Sequence, residues 1–352
     1  MKTHTEVPAD AAVDPRATAI LVNWNTRELL RGCLAALEAA AGHVPLQIVV
    51  VDNASTDGSA DMVAADFPRV DLVRNPVNAG FARANNLAFG RARGRYLLIL
   101  NPDARLRVPA DLARWLNIMD DMPDVAASGA YVTDGEDRHR LGDAGFRPTW
   151  RSIAGLYLFL ARVWPRIFPP YFLHGHATAP VDVDWVTGAA MLVRRSVLET
   201  VGPFDDRVFM YGEDVEWCCR MRDAGLRVVH LPDVHVTHFE GASTRQQTRA
   251  GFSILWFRQL RALYFHYAPR EPAWVFDLLL LAGLLLRVVG YRAMAGLRPT
   301  AFARARVGQH LACMRHLVGH FGRRSDVWPG PARPPAVADP AGSPAATGPL
   351  GE

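Results

Sequence analysis

The sequence predicts an α/β fold, a mixed and mostly parallel sheet flanked by helices, continued by a helical C-terminal extension. Three observations carry this. Strand and helix patterns alternate through the first half of the chain, as they do where parallel strands are joined by crossover helices. The run YLLIL, residues 96–100, is continuously aliphatic, the signature of a strand buried on both faces. After Ser243 the pattern changes to long, aromatic-rich apolar stretches with interspersed Arg.

The elements follow in order. TAILVNW (18–24) reads as the first strand, and apolar residues at helical spacing mark a helix over 27–40. LQIVVVDN (46–53) is the second strand, with Ser55 or Asp57 placed to cap the next helix. VDLVRN (70–75) is a third, short strand, followed by a helix over 80–92. YLLIL is the fourth; it ends because Pro102 has no N–H for a ladder and turns Asn101 away from helix, which leaves Asp103 at the mouth of the sheet. A helix over 108–122 and a strand over 125–132 come next. Residues 133–180, rich in Gly, Pro and aromatics and including FLHGHATAP, read as a functional loop or substrate cover. Regular structure resumes at VDVDWVTGAAMLVRRSVLETVG, then a helix over 213–224 and the strand signal LRVVHLPDVHVTH.

Composition is that of a globular protein, 50% hydrophobic and 21% charged over 352 residues. Of the 39 basic residues Lys2 is the single lysine, and from Arg287 to Arg324 there are eight Arg and no Asp or Glu. That local excess favours an anionic surface such as phospholipid headgroups over nucleic acid. Cys33, Cys218, Cys219 and Cys313 form no C-x-x-C pair and read as reduced packing thiols. The stretch 273–290, interrupted by Asp277 and Arg287, falls short of a membrane span of about 20 apolar residues. It fits an interfacial helix anchored by Trp274 and Arg; a core helix pair or a homodimer contact fits equally. The N-terminal 1–17 lacks the apolar core of a signal peptide and reads as a flexible lead-in, and 327–352, rich in Pro, Ala and Gly, as a disordered tail.

Polar clusters stand at three strand ends: Asn23-Trp24-Asn25, Asp52-Asn53 and Asn101-Pro102-Asp103. Three strands delivering acceptors to one sheet edge point to a polar ligand there. No G-x-G-x-x-G and no G-x-x-x-x-G-K-[ST] occurs, which disfavours dinucleotide oxidoreductases and P-loop NTPases. A nucleotide diphosphate without a glycine cradle needs its charge offset by a divalent cation on a carboxylate, for which Asp103 is the candidate; a turn cap is its bland alternative. Glu213 and Asp214 open a helix, where the macrodipole favours them, but adjacent carboxylates also repel, and one with a raised pKa can accept a proton. His235 and His238 follow a strand, and their spacing alone does not make a zinc site.

Six motifs in order, VVVDNASTDGS, NAGFARANNLAF, LLILNPDA, TGAAMLVRR, FMYGEDVEWCCR and VTHFEGAST, resemble the inverting family 2 glycosyltransferases of the GT-A (Rossmann-like) fold, and within them the bacterial rhamnosyltransferase-like branch. The resemblance covers about 18–245 and divides the chain into that domain, a membrane-associating or oligomerising helical extension over 246–326, and the tail. It implies that Asp103 holds Mg²⁺ or Mn²⁺ on the nucleotide-sugar diphosphate with His238 nearby, although Asn101 stands where many members have Asp. It implies that Asp52, Asn53, Asn25, Asn78, Arg83, Asn85 and Asn101 lie near the nucleotide-sugar, Arg83 being as easily a helix-surface charge. Asp214 matches the catalytic base, while Glu213, Gly188 and Ala189 border the acceptor. The expected reaction moves rhamnose from dTDP-rhamnose, with a UDP-hexose or UDP-galactofuranose behind it, to a lipid-linked or polysaccharide acceptor, at the cytoplasmic face of the cell membrane. A non-catalytic nucleotide-sugar-binding scaffold is the alternative that Asp103 and Asp214 argue against. A nucleotidyltransferase would carry a Gly-rich basic loop where NWNTREL stands.

Overall fold

The computed structural model describes residues 14–139, 142–175, 177–239, 251–268, 270–297 and 300–324. The expectations for the N-terminal lead-in, the 245/246 boundary, the end of VTHFEGAST and the C-terminal tail fall on residues wholly or largely outside these.

The first half alternates as the sequence predicts: β1 (Ala17–Asn23), α1 (Arg27–Ala41), β2 (Leu46–Asn53), α2 (Ser59–Asp66), β3 (Asp71–Asn75), α3 (Phe81–Phe89) and β4 (Tyr96–Leu100). Then come β5 (Ala104–Leu106), α4 (Asp111–Asp121), β6 (Val125–Thr133), β7 (Ala144–Gly145), α5 (Trp150–Tyr157), β8 (Val181–Val183), β9 (Trp185–Val186), β10 (Ala190–Arg194), α6 (Val197–Thr200), α7 (Glu213–Asp223) and β11 (Arg227–His238). The main sheet has nine strands in the order β3-β2-β1-β4-β10-β6-β11-β5, with β8 pairing β11. β3, β2, β1 and β4 run parallel, and β10 lies antiparallel between β4 and β6.

YLLIL is buried along its whole length, and its side chains divide between two cores. Leu97 and Ile99 join Val49, Val51 and the α3 and α7 side, while Tyr96, Leu98 and Leu100 join Leu30, Leu34, Trp115 and the α1 and α4 side. A strand with a core on each face has no use for alternation, so its sequence reads as one aliphatic block. Two polar groups in these cores are paired: Trp115 Nε1 donates to Ser128 Oγ at 2.7 Å and Tyr96 OH to Asp120 Oδ1 at 2.6 Å. All four cysteines are free and buried. One local expectation changes: α2 is capped by Gly58, which has φ +78°, rather than by a side chain. The Asp57 carboxylate instead accepts from the Arg27 and Ser59 amides, tying α1 and α2 together.

The C-terminal extension is three helices, α8 (Gly251–Tyr267), α9 (Ala273–Leu297) and α10 (Ala301–Gly319). α9 contains the stretch 273–290 and continues the apolar run beyond it. Ala273–Gly296, 24 residues at mean hydropathy 2.0, is long and apolar enough by length and composition to cross a membrane, and 39% of its apolar stretch is buried against the rest of the protein. Asp277, which interrupts the run in sequence, is fully buried and pairs bidentately with buried Arg261 of α8 at 2.8 and 3.0 Å. Its second oxygen also accepts from the Gly322 amide at 2.8 Å. The opposite face of α9 presents Trp274, Val275, Leu278, Leu285, Leu286 and Val289, each about half exposed. Gly283 lets α9 close onto the end of α5, where a Cβ would stand 2.7 Å from the Tyr157 carbonyl oxygen.

Candidate active site

One cavity of about 1010 Å³ opens at the C-terminal edge of the parallel strands. Such edges bind ligands because strand ends and helix starts there leave polar groups unpaired by the sheet. Of the residues singled out from sequence, Asn53, Asn78, Asn101, Asp103, Gly188, Ala189, Glu213, Asp214 and His238 line it.

Asp103 arrives from the turn after β4, where the Asn101 amide donates to the Ala189 carbonyl at 3.0 Å and the Ala104 amide back to Asn101 at 3.0 Å. His238 arrives from the end of β11, which pairs antiparallel with β5 and sets His238 opposite Ala104. Their side chains meet, with His238 Nε2 3.0 Å from Asp103 Oδ1 and 3.4 Å from Asn101 Nδ2. Among the described residues no three His, Cys, Asp or Glu side chains gather as metal ligands. A carboxylate and an imidazole at one point nevertheless suit a divalent cation that takes its remaining oxygens from substrate and water.

Asp214 and Glu213 open α7, behind two residues with positive φ, Tyr211 at +71° and Gly212 at +89°. A non-glycine residue in that region is strained, and strain of this kind gathers where a loop must deliver a group to one position. The loop is held from the other side too: the Phe81 amide donates to the Phe209 carbonyl at 2.8 Å, and Gly80, φ +85°, leaves room for that carbonyl, which a Cβ would meet at 2.4 Å. Asp214 Oδ2 accepts from the Gly188 amide at 2.9 Å and Oδ1 from the Val215 amide at 2.8 Å.

The two carboxyls are not equivalent. Glu213 is buried with one oxygen lacking any partner, and burial, with the neighbouring Asp214 charge, pushes its carboxyl well above the ordinary glutamate value. Burial also raises Asp214, but its two amide bonds act in the opposite direction. Environment thus sets the two carboxyls apart: burial and a like charge are the leading influences on the Glu213 side chain, whereas backbone amides favour the charged form of Asp214.

The structure does not bring Asn25, Asp52, Arg83 or Asn85 to the cavity wall. Asn25 (φ +53°) accepts from the Thr56 amide at 2.7 Å, and Asp52 accepts from Asn23 Nδ2 at 3.0 Å and the Ser55 amide at 3.1 Å, so both shape the loops after β1 and β2. Asn53 is the hub of the neighbouring loop, donating to Asn78 Oδ1 at 2.9 Å and accepting from Asn75 Nδ2 at 2.9 Å. Arg83 is exposed beside Asp206 at 3.7 Å, and Asn85 is buried, donating to the Phe81 carbonyl of its own helix at 2.9 Å.

Sequence reasoning missed several lining residues. Asp143 accepts from the Val132 amide and meets His139 at 2.9 Å and His230 at 3.2 Å. Burial opposes its charge, yet bonds and charge from His230 and His139 outweigh that and hold the carboxyl below the ordinary value. Tyr171 and Phe172 come from the 133–180 segment, in which no pattern singled them out. Trp256, Leu260, Leu284, Phe302, Arg306 and His310 come from α8, α9 and α10, which sequence assigned to a separate region.

A mixed sheet with an edge cavity and a paired carboxyl at a helix start is the frame of an α/β protein that binds a polar ligand, and comparison with known proteins gives its class. The family model for glycosyl transferase family 2 matches residues 18–202, more than half of the chain, and that for glycosyl transferase family group 2 matches 170–307. The chain belongs to glycosyl transferase family 2, and its fold is the GT-A fold expected from sequence. It is 26% identical over 273 residues to the N-acetylglucosaminyl-diphospho-decaprenol L-rhamnosyltransferase of Mycobacterium tuberculosis, covering 72% of this chain and 85% of that one. It is 25% identical over 259 residues to rhamnosyltransferase WbbL of Escherichia coli, covering 72% and 92%. In structure it resembles the mannosyltransferase PcManGT of Pyrobaculum calidifontis in complex with GDP-Man and Mn²⁺, at TM-score 0.54 and 19% identity over 90% of each chain.

Proposed function

We propose that the protein is an inverting rhamnosyltransferase, moving rhamnose from dTDP-rhamnose to a hydroxyl of a lipid-linked or polysaccharide acceptor in cell-envelope glycan synthesis. The carrying observation is that the Asp103–His238 pair and the Glu213–Asp214 pair, far apart in sequence, line one cavity at the strand edge. The rhamnosyltransferase activity of the relatives above supports the donor sugar.

In this reading Asp214, anionic and oriented by two backbone amides, takes the proton from the acceptor hydroxyl as that oxygen attacks the anomeric carbon. Glu213, holding its proton, leaves Asp214 as the single anion of the pair. Gly188 brings backbone close to the reacting groups, since a Cβ there would stand 3.3 Å from the Phe81 ring and 3.6 Å from the Asp214 Cβ. Asp103 and His238, with Asn101 beside them, are the residues that would hold Mg²⁺ or Mn²⁺. A bound divalent cation supplies charge neutralisation for a departing diphosphate. Attack from the Asp214 side, opposite the diphosphate, inverts the anomeric centre.

In this reading the exposed apolar face of α9, on a chain with an arginine-rich C-terminal region, seats the enzyme peripherally on an anionic membrane, at its cytoplasmic face.

Calorimetry of dTDP-rhamnose, UDP-galactose and UDP-galactofuranose with and without Mn²⁺, for the protein and for Asp103→Ala, tests the reading. Metal-dependent binding of dTDP-rhamnose that is lost in the variant is expected. Binding of a UDP-sugar in its place would reassign the donor, and no binding of any nucleotide-sugar would overturn the function.

A further inference from the structure

Between the start of α5 and β8 the chain turns large apolar side chains outward. Trp150, Phe159, Val163, Trp164 and Ile167 are exposed, from 43% at Phe159 to 63% at Val163, and all lie within residues 18–202, the part matched by the family 2 model. Single apolar residues on a surface need no explanation, but five on one short segment do. The segment is held by its own contacts. Leu160–Arg162 forms a 3₁₀ turn, and the Trp164 and Phe168 amides donate to the carbonyls of Leu160 at 2.8 Å and Trp164 at 2.9 Å. Gly155 of α5 lets the segment close onto that helix, since a Cβ there would stand 3.0 Å from the Pro169 carbonyl oxygen. The Trp150 ring meets the Phe168 ring edge-on at 6.2 Å. Phe159 has φ +60°, an unfavourable conformation for a bulky residue, and its ring is nevertheless turned outward rather than packed in the core.

The charge around this surface has one sign. From Ala144 to Val181 there are four Arg and no Asp or Glu. Arg147 turns to Asp223 at 2.7 Å, whereas Arg151, Arg162 and Arg166 are exposed, and among the described residues no carboxylate pairs with them. Arg151 lies 5.7 Å from the Trp150 ring and Arg162 5.6 Å from the Phe159 ring, which sets a cation beside two of the exposed aromatic groups. The surface continues onto α9, where Arg287 donates to the Leu156 carbonyl at 2.7 Å and lies 4.6 Å from the Phe159 ring. Beyond Asp277, α9 and α10 add no acid either, since none occurs from Leu278 to Ser325.

Exposed Trp and Phe beside arginines without acids suit the boundary of an anionic bilayer, where rings enter the edge of the acyl layer and guanidinium groups stay among the headgroups. An element that enters lipid must also satisfy its own backbone, because acyl chains offer no hydrogen bonds. Most of this segment does so: the amides of Arg162, Val163, Trp164, Ile167 and Phe168 donate within it, and Pro165, Pro169 and Pro170 have none to satisfy. A second copy of the chain is disfavoured as the partner, because this face against itself would bring its arginines together. We propose that residues 159–168, with Trp150, form a membrane-inserting wedge of the glycosyltransferase domain, with Arg151, Arg162 and Arg166 on anionic phospholipid headgroups. The wedge is separate from the exposed face of α9 and independent of which sugar the enzyme transfers. Tyr157 and Phe172 flank it in sequence and line the cavity, so a wedge held in lipid sets one cavity wall beside the membrane surface.

A fluorescent reporter in the wedge tests this. All four native cysteines are buried, so Val163→Cys and Ile167→Cys, at exposed positions, can each carry a nitrobenzoxadiazole label on the full chain with the core untouched. Arg69→Cys, in the turn between α2 and β3 where the native side chain is 89% exposed, is the control. Vesicles of phosphatidylcholine and phosphatidylglycerol are expected to raise the emission of both wedge labels several-fold, and nitroxide-bearing lipids to quench them, with the control unchanged. Arg162→Gln with Arg166→Gln in the labelled protein is expected to weaken vesicle affinity about thirtyfold, the loss of two basic residues from an anionic surface. Wedge labels that keep a water-like emission overturn the proposal, and sedimentation with vesicles in that case would leave α9 as the contact. Equal vesicle affinity with and without the two arginines overturns their headgroup role. A label response that needs no lipid and grows with protein concentration would give this face to a second copy, and overturns the wedge as well.

Discussion

Replacing Asp214 by Asn tests the proposed base with a magnitude that the geometry constrains. Asn keeps one oxygen to accept from either Gly188 or Val215 and turns an NH₂ toward the other amide, so the side chain stays in place with one backbone donor unsatisfied. That mismatch costs about 1–3 kcal/mol locally. It is offset by removal of a buried charge, so folding should change little near neutral pH. Turnover should fall by about 10²–10⁴, equivalent to about 2.7–5.4 kcal/mol of transition-state stabilisation, with donor binding retained. The pH profile supplies a second readout. Because burial raises the Asp214 carboxyl, kcat/KM should decline on the acid side at a pH above the ordinary aspartate range, and the variant should lose that limb. Stability runs with the opposite sign. A carboxyl whose folded pKa is raised binds its proton more tightly in the folded state, so its contribution is complete below the unfolded value and disappears as pH rises through the folded one. Glu213 and Asp214 should therefore make the protein less stable from mildly acid towards neutral pH, and Glu213→Gln should flatten that slope. Steady-state glycosyl transfer and denaturant titrations across pH measure both. An Asp214→Asn enzyme retaining more than about a tenth of normal turnover would refute the base assignment.

Two further predictions concern the helical extension. Asp277→Ala leaves Arg261 buried without its carboxylate and strips the Gly322 amide of its acceptor, so denaturant titration should show a loss of about 3–5 kcal/mol. Arg261→Met with Asp277→Leu should recover most of that loss, and a single variant as stable as the parent would show that the pair does not hold the bundle together. On the outer face of α9, joint replacement of Trp274, Leu285 and Leu286 by Ser should weaken sedimentation with vesicles containing phosphatidylglycerol by about a hundredfold or more, since each inserted side chain contributes about 1.5–3 kcal/mol. Undiminished sedimentation would place the membrane contact elsewhere or remove it.

What the sequence disclosed, and what it withheld, follows from the range of the forces involved. Strand and helix patterns are local, so the first seven elements were legible, and so was the end of YLLIL at Asn101-Pro102-Asp103. The Asp103–His238 contact spans 135 residues and is made by the register of β5 on β11, which no local pattern encodes. Family resemblance reached it where periodicity could not. Resemblance in turn overreached at Asn85, because a motif records residue types, whereas the rotation of α3 decides which of two adjacent Asn faces inward: Asn85 is buried against its own helix, and Asn86 reaches the Phe204 carbonyl at 2.9 Å. Asp277 shows the same limit from the other side. Read alone it interrupts an apolar run and argues against a span; in the fold it marks the face of α9 that packs on Arg261, and the run continues past it to Gly296. A charge inside a long apolar helix thus carries orientation rather than a veto. Here it turns one face of α9 inward to the bundle, and leaves the opposite, apolar face exposed.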